Sequence, residues 1–229
     1  SIAEKHGLRA TFMPKPFDDL TGNGCHAHAS LWDLNKKKNY FLDKDNELGL
    51  SKLGYHFIGG IMKSVDSFSA WFNPSLNSYD RLNARTTNSG STYSPTAVTY
   101  SGNNRTHMIR IPDTGRIEFR PADGAVNPYL LQAGLIAMGL DGIKNKRSPG
   151  KRIDVNMYSQ GHKLKRIKKL PQSLTESLNK FKASEVVKKS IGSKVVSQYV
   201  KLKKREIAEH NKVSDGDKKD WERKNIIDC

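Results

Sequence analysis

The chain has 229 residues, with 39 Lys and Arg against 23 Asp and Glu and only two cysteines, Cys25 and Cys229. This length can bury a sizeable core and fits one domain or slightly more. Two cysteines exclude a zinc ribbon and a disulfide scaffold and indicate a cytoplasmic setting, and no apolar run reaches the roughly 18 residues that a membrane span needs, so we expect no membrane partner.

The formal charge of +16 is concentrated in the last third of the chain. Residues 151–229 hold 21 Lys and Arg against 10 Asp and Glu, an excess of 11. This balance raises the alternative of a non-catalytic basic protein that binds nucleic acid. The region is poor in the aromatic side chains that stack on bases, so solvated helical faces are the favoured interpretation.

The first part of the chain predicts two strands and a long helix. A strand over Leu8–Met13 is closed by prolines, a loop covers residues 15–24, and a second strand covers residues 25–32. From Ser51 to about Phe72 the apolar residues recur at helical spacing, and the Asn73-Pro74 pair ends that helix.

The second part predicts a loop, a β-rich block and further helices. Residues 75–96 are rich in Asn, Ser, Thr and Gly and predict a long irregular loop of the kind that is often functional. Three strands follow at about residues 97–101, 107–112 and 116–120. A helix runs from Asn127-Pro128 to near Gly142, and the tail from Ser173 to about Asn211 predicts peripheral helices. Because the elements mix without βαβ regularity, the pattern favours an α+β fold.

The segment Gly24-Cys25-His26-Ala27-His28-Ala29-Ser30 predicts a strand with two different faces. His26, His28 and Ser30 share one face, because successive side chains of a strand alternate. The other face is small and apolar and suits a core. The two histidines are a metal pair, core histidines, or one metal ligand beside one phosphate contact.

A second alternation, Arg116-Ile117-Glu118-Phe119-Arg120, places two arginines and Glu118 on one face. Glu118 is either the centre of a structural ion-pair ladder or a metal ligand flanked by phosphate donors. Arg105 and Arg110 add two cations to the same block. Because like charges repel unless an anion joins them, these arginines favour a polyphosphate ligand. The alternative is surface arginines that point to water.

Six motifs in order carry a family resemblance. They are Phe12-Met13-Pro14-Lys15-Pro16; Gly22-x-Gly24-x-His26-x-His28-x-Ser30; Asn73-Pro74-x-x-Asn77-Ser78-Tyr79-x-Arg81-Leu82; Asn104-Arg105 with Arg110-Ile111-Pro112; Arg116-Ile117-Glu118-x-Arg120; and Asn127-Pro128-Tyr129-Leu130 with Gly139-Leu140-Asp141-Gly142-Ile143. Together they resemble the glutamine synthetase family over roughly residues 8–150. The ending from Trp221 to Cys229 resembles the C-terminus of the type III branch, which is close to γ-glutamylmethylamide synthetases.

The resemblance implies a catalytic-domain fold, an antiparallel sheet flanked by helices. Residues 1–150 would be the C-terminal half of that domain and residues 151–229 its basic helical extension. An N-terminal β-grasp domain and further strands would precede the chain. The family implies a homo-oligomer of dodecamer-like rings, with active sites formed between subunits.

The activity that the resemblance implies is ATP-dependent joining of ammonia to the γ-carboxylate of L-glutamate through γ-glutamyl phosphate, with Mg²⁺ or Mn²⁺. Motif matches assign roles to ten residues. The metal ligands are His26 and Glu118, and the catalytic, phosphate-holding arginines are Arg105 and Arg110. The other nucleotide contacts are His28, Ser30 and Arg116, and the glutamate contacts are Gly22, Arg81 and Arg120.

Three departures from the family pattern concern the glutamate contact, the amine and the metal site. Thr21 stands where the family has Asn, and the flap, Thr92-Tyr93-Ser94-Pro95, lacks the Glu that deprotonates ammonium. Methylamine, or a polyamine, is therefore an alternative to ammonia.

The acidic metal ligands of upstream strands are absent, and one His and one Glu do not hold two hard cations, so we expect this piece alone to be inactive. Tyr158 aligns with a tyrosine that some relatives adenylylate, and one residue does not predict that modification.

Overall fold

The computed structural model describes residues 2–84 and 94–228. Helices and short strands follow one another along the chain without regular alternation. In order they are α1 (Ile2–Lys5), β1 (Ala27–Ala29), α2 (Lys52–Phe72), α3 (Leu76–Leu82), β2 (Tyr100–Ser101), β3 (Ile109–Arg110), β4 (Ile117–Phe119), α4 (Pro128–Lys144), α5 (Leu174–Ala183), α6 (Glu185–Ile191), α7 (Ser193–His210) and α8 (Lys218–Ile226). None of the described helices is long and apolar enough to cross a membrane.

The strands form one four-stranded sheet in the order β1-β4-β3-β2. The β1–β4 and β3–β4 pairs are antiparallel, whereas β2 and β3 are parallel. The predicted α+β class with a sheet flanked by helices is confirmed, and the sheet, predicted as antiparallel, is mixed because it contains one parallel pair. The connection over residues 102–108 brings the chain back to the end of the sheet where β2 began, so β3 runs parallel to β2.

The long helix α2 is confirmed and forms the centre of the core. The Ser51 hydroxyl caps its first turn, and its C-cap is Asn73. Ile61, Val65 and Phe68 are fully buried, because the apolar stripe of α2 faces the sheet and helices α4 and α5. Gly60 lies against the backbone of α4, so any side chain there would collide with it.

Residues 8–13 do not form the predicted strand. Leu8 and Phe12 are mostly exposed, and the backbone has no ladder partner among the described residues. Side chains hold this segment instead: Arg9 forms an ion pair with Asp228, and the Thr11 hydroxyl donates to a backbone carbonyl at the C-terminal end. The prediction of a strand over Leu8–Met13 is therefore wrong.

The predicted irregular loop over residues 75–96 begins with a helix. A capping box between Ser75 and Ser78 starts α3, and Asn77 and Arg81 are buried in it. The sequence did not predict α3, because its residues are mostly polar and form hydrogen bonds with other parts of the protein. The flap residues Thr92 and Tyr93 lie outside the described residues.

The predicted helical tail exists, but it is not peripheral. Leu174, Leu178 and Phe181 of α5 belong to the main core, and the Phe181 ring lies 5.5 Å from that of Trp71. The sequence did not predict α8, whose nine residues are strongly charged. A short helix with little apolar periodicity gives a weak signal, and contacts with distant segments stabilise it instead.

Candidate functional site

The sheet brings the two alternating motifs together on one face. His28 pairs with Glu118 across β1 and β4, and Glu118 pairs with Arg110 across β4 and β3. Residues opposite each other on neighbouring strands point to the same side, so these three form a row across the sheet. The opposite face of β1, with Cys25, packs against the core.

Glu118 lies at the centre of this face and is 3% exposed. Its Oε1 is 3.1 Å from His26 Nδ1 and 2.9 Å from Arg120 Nη1, and its Oε2 is 2.7 Å from Arg110 Nη1. One buried carboxylate thus faces two guanidinium groups and one imidazole. The local charge stays positive, which suits an anionic ligand.

The environment sets the protonation of this cluster. Burial opposes ionisation of Glu118, but the hydrogen bond from Arg110 and the charges of Arg120 and Arg110 outweigh it and hold the pKa of Glu118 below its usual range. Burial, reinforced by the charge of Arg120, lowers the pKa of His26 to about 4. Near neutral pH the carboxylate is charged and the imidazole is neutral, which are the forms that bind metal ions.

Arg81 and the glycine-containing loop form the wall beside this cluster. Arg81 is buried and donates from Nη1 to the carbonyl of Pro121 at 3.1 Å. Gly22 lies against the Arg81 side chain, and a Cβ at Gly24 would stand 2.9 Å from Arg81 Nη2 and 3.2 Å from His26 Nε2. Both glycines let the loop approach the guanidinium and imidazole groups closely.

The motif assignment missed Asp123, which is fully buried near Arg81. It accepts hydrogen bonds from Asn73 Nδ2 at 3.0 Å and from the amide of Ala125 at 3.0 Å. Burial raises the pKa of Asp123, against the opposing charge of Arg81. Asp123 follows the end of β4, where the sequence has no alternating pattern that would identify a site residue. Its position beside Arg81 in the folded protein is what identifies it.

Of the remaining predicted residues, Arg116 contacts His28, whereas no hydrogen bond or ion pair among the described residues joins Ser30 or Arg105 to the cluster. Arg116 forms a bidentate pair with Asp113 at 2.6 and 2.7 Å, and its Nη1 is 3.3 Å from His28 Nδ1. Ser30 accepts from the indole of Trp32. Arg105 is exposed on the loop between β2 and β3, and no described ion pair joins it to Glu118.

His26 and Glu118 were predicted as metal ligands, and the described residues around them limit what such a site can hold. Within residues 2–84 and 94–228 no three His, Cys, Asp or Glu side chains cluster closely enough to hold a metal ion. His26 and Glu118 can fill two positions: with Nδ1 protonated and donating to Glu118, Nε2 keeps a lone pair for a cation. A hard divalent cation requires several more oxygen ligands.

Comparison with known proteins gives the same family throughout. Residues 1–225 match the family model described as glutamine synthetase, catalytic domain. A glutamine synthetase from Rhizobium leguminosarum bv. phaseoli is 55% identical over 203 residues, which are 89% of this chain and 47% of that protein. A glutamate–methylamine ligase from Methyloversatilis universalis is 40% identical over 214 residues, which are 91% of this chain and 48% of that protein.

Solved structures agree with the sequence relatives. A structure described as a GmaS/ADP complex matches with a TM-score of 0.87 and 46% identity, and covers 100% of this chain and 51% of that chain. Apo GmaS without ligand matches with a TM-score of 0.85 and 44% identity, and covers 100% and 50%. The chain spans about half the length of the curated relatives that it matches.

Proposed function

The chain belongs to the glutamine synthetase family, and we propose that it forms the phosphate- and glutamate-binding wall of an ATP-dependent ligase that joins ammonia to the γ-carboxylate of L-glutamate. The reaction would pass through γ-glutamyl phosphate, which forms as glutamate takes the terminal phosphoryl group of ATP. Ammonia would then displace phosphate and leave glutamine.

The observation that carries the proposal is the cluster around Glu118. Two arginines and a neutral histidine converge on one buried carboxylate, on an open sheet face with further arginines beside it. A set built only for stability would balance its charges, because buried unpaired charge is costly. The positive excess is what a site for ATP and glutamate requires.

In this proposal the arginines position anions and stabilise developing charge. Arg110 and Arg105 hold the phosphoryl group in transfer, where fixed positive charge lowers the barrier. Arg81 and Arg120, with the loop at Gly22, hold the carboxylates of glutamate. His28, Ser30 and Arg116 line the nucleotide side, and the 3.3 Å contact between Arg116 and His28 places two of them together.

His26 and Glu118 would hold one edge of a Mg²⁺ or Mn²⁺ ion. Such an ion neutralises phosphate charge and orients the transferring group. All oxygens of Glu118 are engaged by its neighbours, so Arg110 and Arg120 would share the carboxylate with the ion or turn toward substrate phosphates. The pair is incomplete as a metal shell among the described residues, and we propose that the 229-residue chain alone is inactive.

Methylamine is the second candidate amine, because a glutamate–methylamine ligase and GmaS structures are among the relatives. Ammonia is favoured because the relatives named glutamine synthetase from Rhizobium reach 55% and 53% identity, against 40% for the methylamine ligase. We further propose that residues 1–150 and 151–229 belong to one catalytic domain, in a cytoplasmic homo-oligomer.

The test is phosphate release by the complete ligase that contains this chain, measured with ATP and glutamate. We expect release to depend on both substrates and kcat/KM to be higher for ammonia than for methylamine. The reverse preference would make methylamine the substrate. If the complete ligase releases no phosphate in a glutamate-dependent way with either amine, the proposed activity is wrong. If the isolated 229-residue chain releases phosphate, the proposal that this chain alone is inactive is wrong.

A further inference from the structure

The last helix, α8, packs against the segment that leads into the candidate site. This segment, residues 14–24, is called the site loop below, and it contains Gly22. Lys219 of α8 places its Nζ 2.8 Å from Asp18 in the site loop and 2.8 Å from Asp80 in α3. Arg223, one turn later, lies over the ring of Phe17 at 5.8 Å.

A second contact runs through buried groups. Glu222 of α8 is 6% exposed, and its Oε2 accepts from Asn77 Nδ2 at 2.9 Å. Asn77 is fully buried and holds the backbone of Lys15 on both sides: its Oδ1 accepts from the Lys15 amide at 2.6 Å, and its Nδ2 donates to the Lys15 carbonyl at 2.9 Å. The start of the site loop is therefore bonded to α3 and α8.

The connection continues to the far end of the site loop. The carbonyl of Pro14, next to Lys15, accepts from the Asn23 amide at 2.8 Å, and the Asn23 side chain donates to the Met13 carbonyl at 2.8 Å. Gly22 packs between that Pro14 carbonyl and the Arg81 side chain. Every step from Glu222 to Arg81 is thus a hydrogen bond, a chain neighbour or a close packing contact.

The charge balance makes Lys219 important to this arrangement. Its ammonium group lies within 3.4 Å of Glu222 and 2.8 Å of Asp18 and Asp80, so one cation joins three carboxylates from three segments. Without it the three acids repel one another, and the site loop loses the ion pair of Asp18 with α8. Isolated surface ion pairs contribute little, but this network includes the buried Glu222 and Asn77.

We propose that α8 is a positioning element for the site loop, and that Lys219 and Glu222 are positioning residues that set the affinity of the site for glutamate. They do not touch the proposed substrate. They act through Asn77 and the backbone of residues 14–15, which fixes Gly22 against Arg81. The identity of the affected substrate rests on the proposed function, whereas the mechanical link does not.

The first experiment measures hydrogen exchange of backbone amides in the full 229-residue chain. Glu222→Ala removes one buried hydrogen bond, and Lys219→Ala leaves three carboxylates without their shared cation. Each should raise the exchange rates of Lys15 and Asn23 by about tenfold and leave the amides of α2 unchanged. Glu222→Gln keeps an acceptor for Asn77 and should restore most of the protection.

Lys218→Ala is the matched control, because Lys218 is the neighbouring residue of the same helix and pairs only with Asp215 among the described residues. It should leave the exchange rates of Lys15 and Asn23 unchanged. The proposal is overturned if Lys219→Ala changes these rates by less than about twofold. It is also overturned if α2 loses protection equally, since Lys219 would then serve overall stability.

The second experiment measures kinetics in the complete ligase that contains this chain. Lys219→Ala should raise the KM for glutamate about fivefold to tenfold, with a smaller change in the KM for ATP, because the contacts from Glu222 lead to Gly22, the residue of the site loop that is assigned to glutamate. Equal changes in both KM values, or none, would overturn the role in substrate affinity. If the wild-type ligase is inactive, the proposed function is wrong, and the hydrogen-exchange experiment still tests whether α8 positions the site loop.

Discussion

The sheet face and the helical core of this protein use side chains in opposite ways. In the core, α2, α4 and α5 bury apolar side chains such as Phe68 and Phe181 with almost no exposed area. On the sheet face, strands of two or three residues hold Glu118 among arginines and a histidine. The difference shows that the helices provide stability, and that short strands suffice to aim a few charged side chains when a core supports them.

This comparison first predicts a large stability loss in the core. Phe68→Ala removes a fully buried ring that contacts Trp71 at 5.7 Å and Phe72 at 6.5 Å between centroids. We expect about 3–5 kcal/mol less free energy of unfolding, from lost burial and the cavity that remains. Urea unfolding measures it, with the exposed Leu202→Ala as control. A loss below about 1 kcal/mol would contradict the role of α2 as the centre of the core.

The second prediction concerns the sheet face, where the effect should appear in activity. Glu118→Gln keeps the shape of the side chain but removes the charge that Arg110 and Arg120 share and that the proposed metal ion would need. We expect kcat of the complete ligase to fall at least about 100-fold, which corresponds to about 2.7 kcal/mol of transition-state stabilisation. Steady-state phosphate release measures it, and full activity of this variant would remove Glu118 from the site.

A third prediction uses the protonation of His26. Its pKa is lowered to about 4, so between that value and its unfolded value of 6.5 the unfolded state binds more protons than the folded state. Folding stability contributed by His26 is therefore present above the unfolded pKa and lost as pH falls. Because the side chain is one-third exposed, we expect about 1–2 kcal/mol between pH 7 and pH 4.

His26→Gln should remove this part of the acid sensitivity while leaving stability near neutral pH similar. Urea unfolding of both proteins at several pH values measures it, and imidazole proton shifts in NMR report the pKa of His26 directly. An imidazole that titrates near its ordinary value would show that the burial and the Arg120 charge do not act on it as the structure indicates.

The smallest effect should occur on the basic tail. Arg205 pairs with Glu209 one turn later on an exposed face of α7. Arg205→Ala should leave the urea midpoint unchanged, because exposed pairs gain little in water and are screened by salt. A clear shift of the urea midpoint would mean that the charged side chains of the tail contribute to folding stability.

Features that depend on local order along the chain could be predicted from the amino-acid sequence. The helical spacing and the Asn73-Pro74 stop defined α2, and the alternation around Glu118 predicted which side chains share a face. Local periodicity suffices there because each residue's face follows from its position along a strand or helix. The family resemblance likewise rests on motif order alone, and the roles of Arg105, Ser30 and the other assigned residues remain predictions.

Features that depend on distant partners became visible in the folded protein. It placed Asp123 beside Arg81, formed α3 within a polar segment, and joined α8 to the site loop through Glu222 and Asn77. It also made β2 parallel to β3 and left residues 8–13 without a strand. The physical reason is clearest for Asn77, Glu222 and Arg9, whose hydrogen bonds and ion pairs join residues far apart in the chain, and no local pattern encodes such pairs.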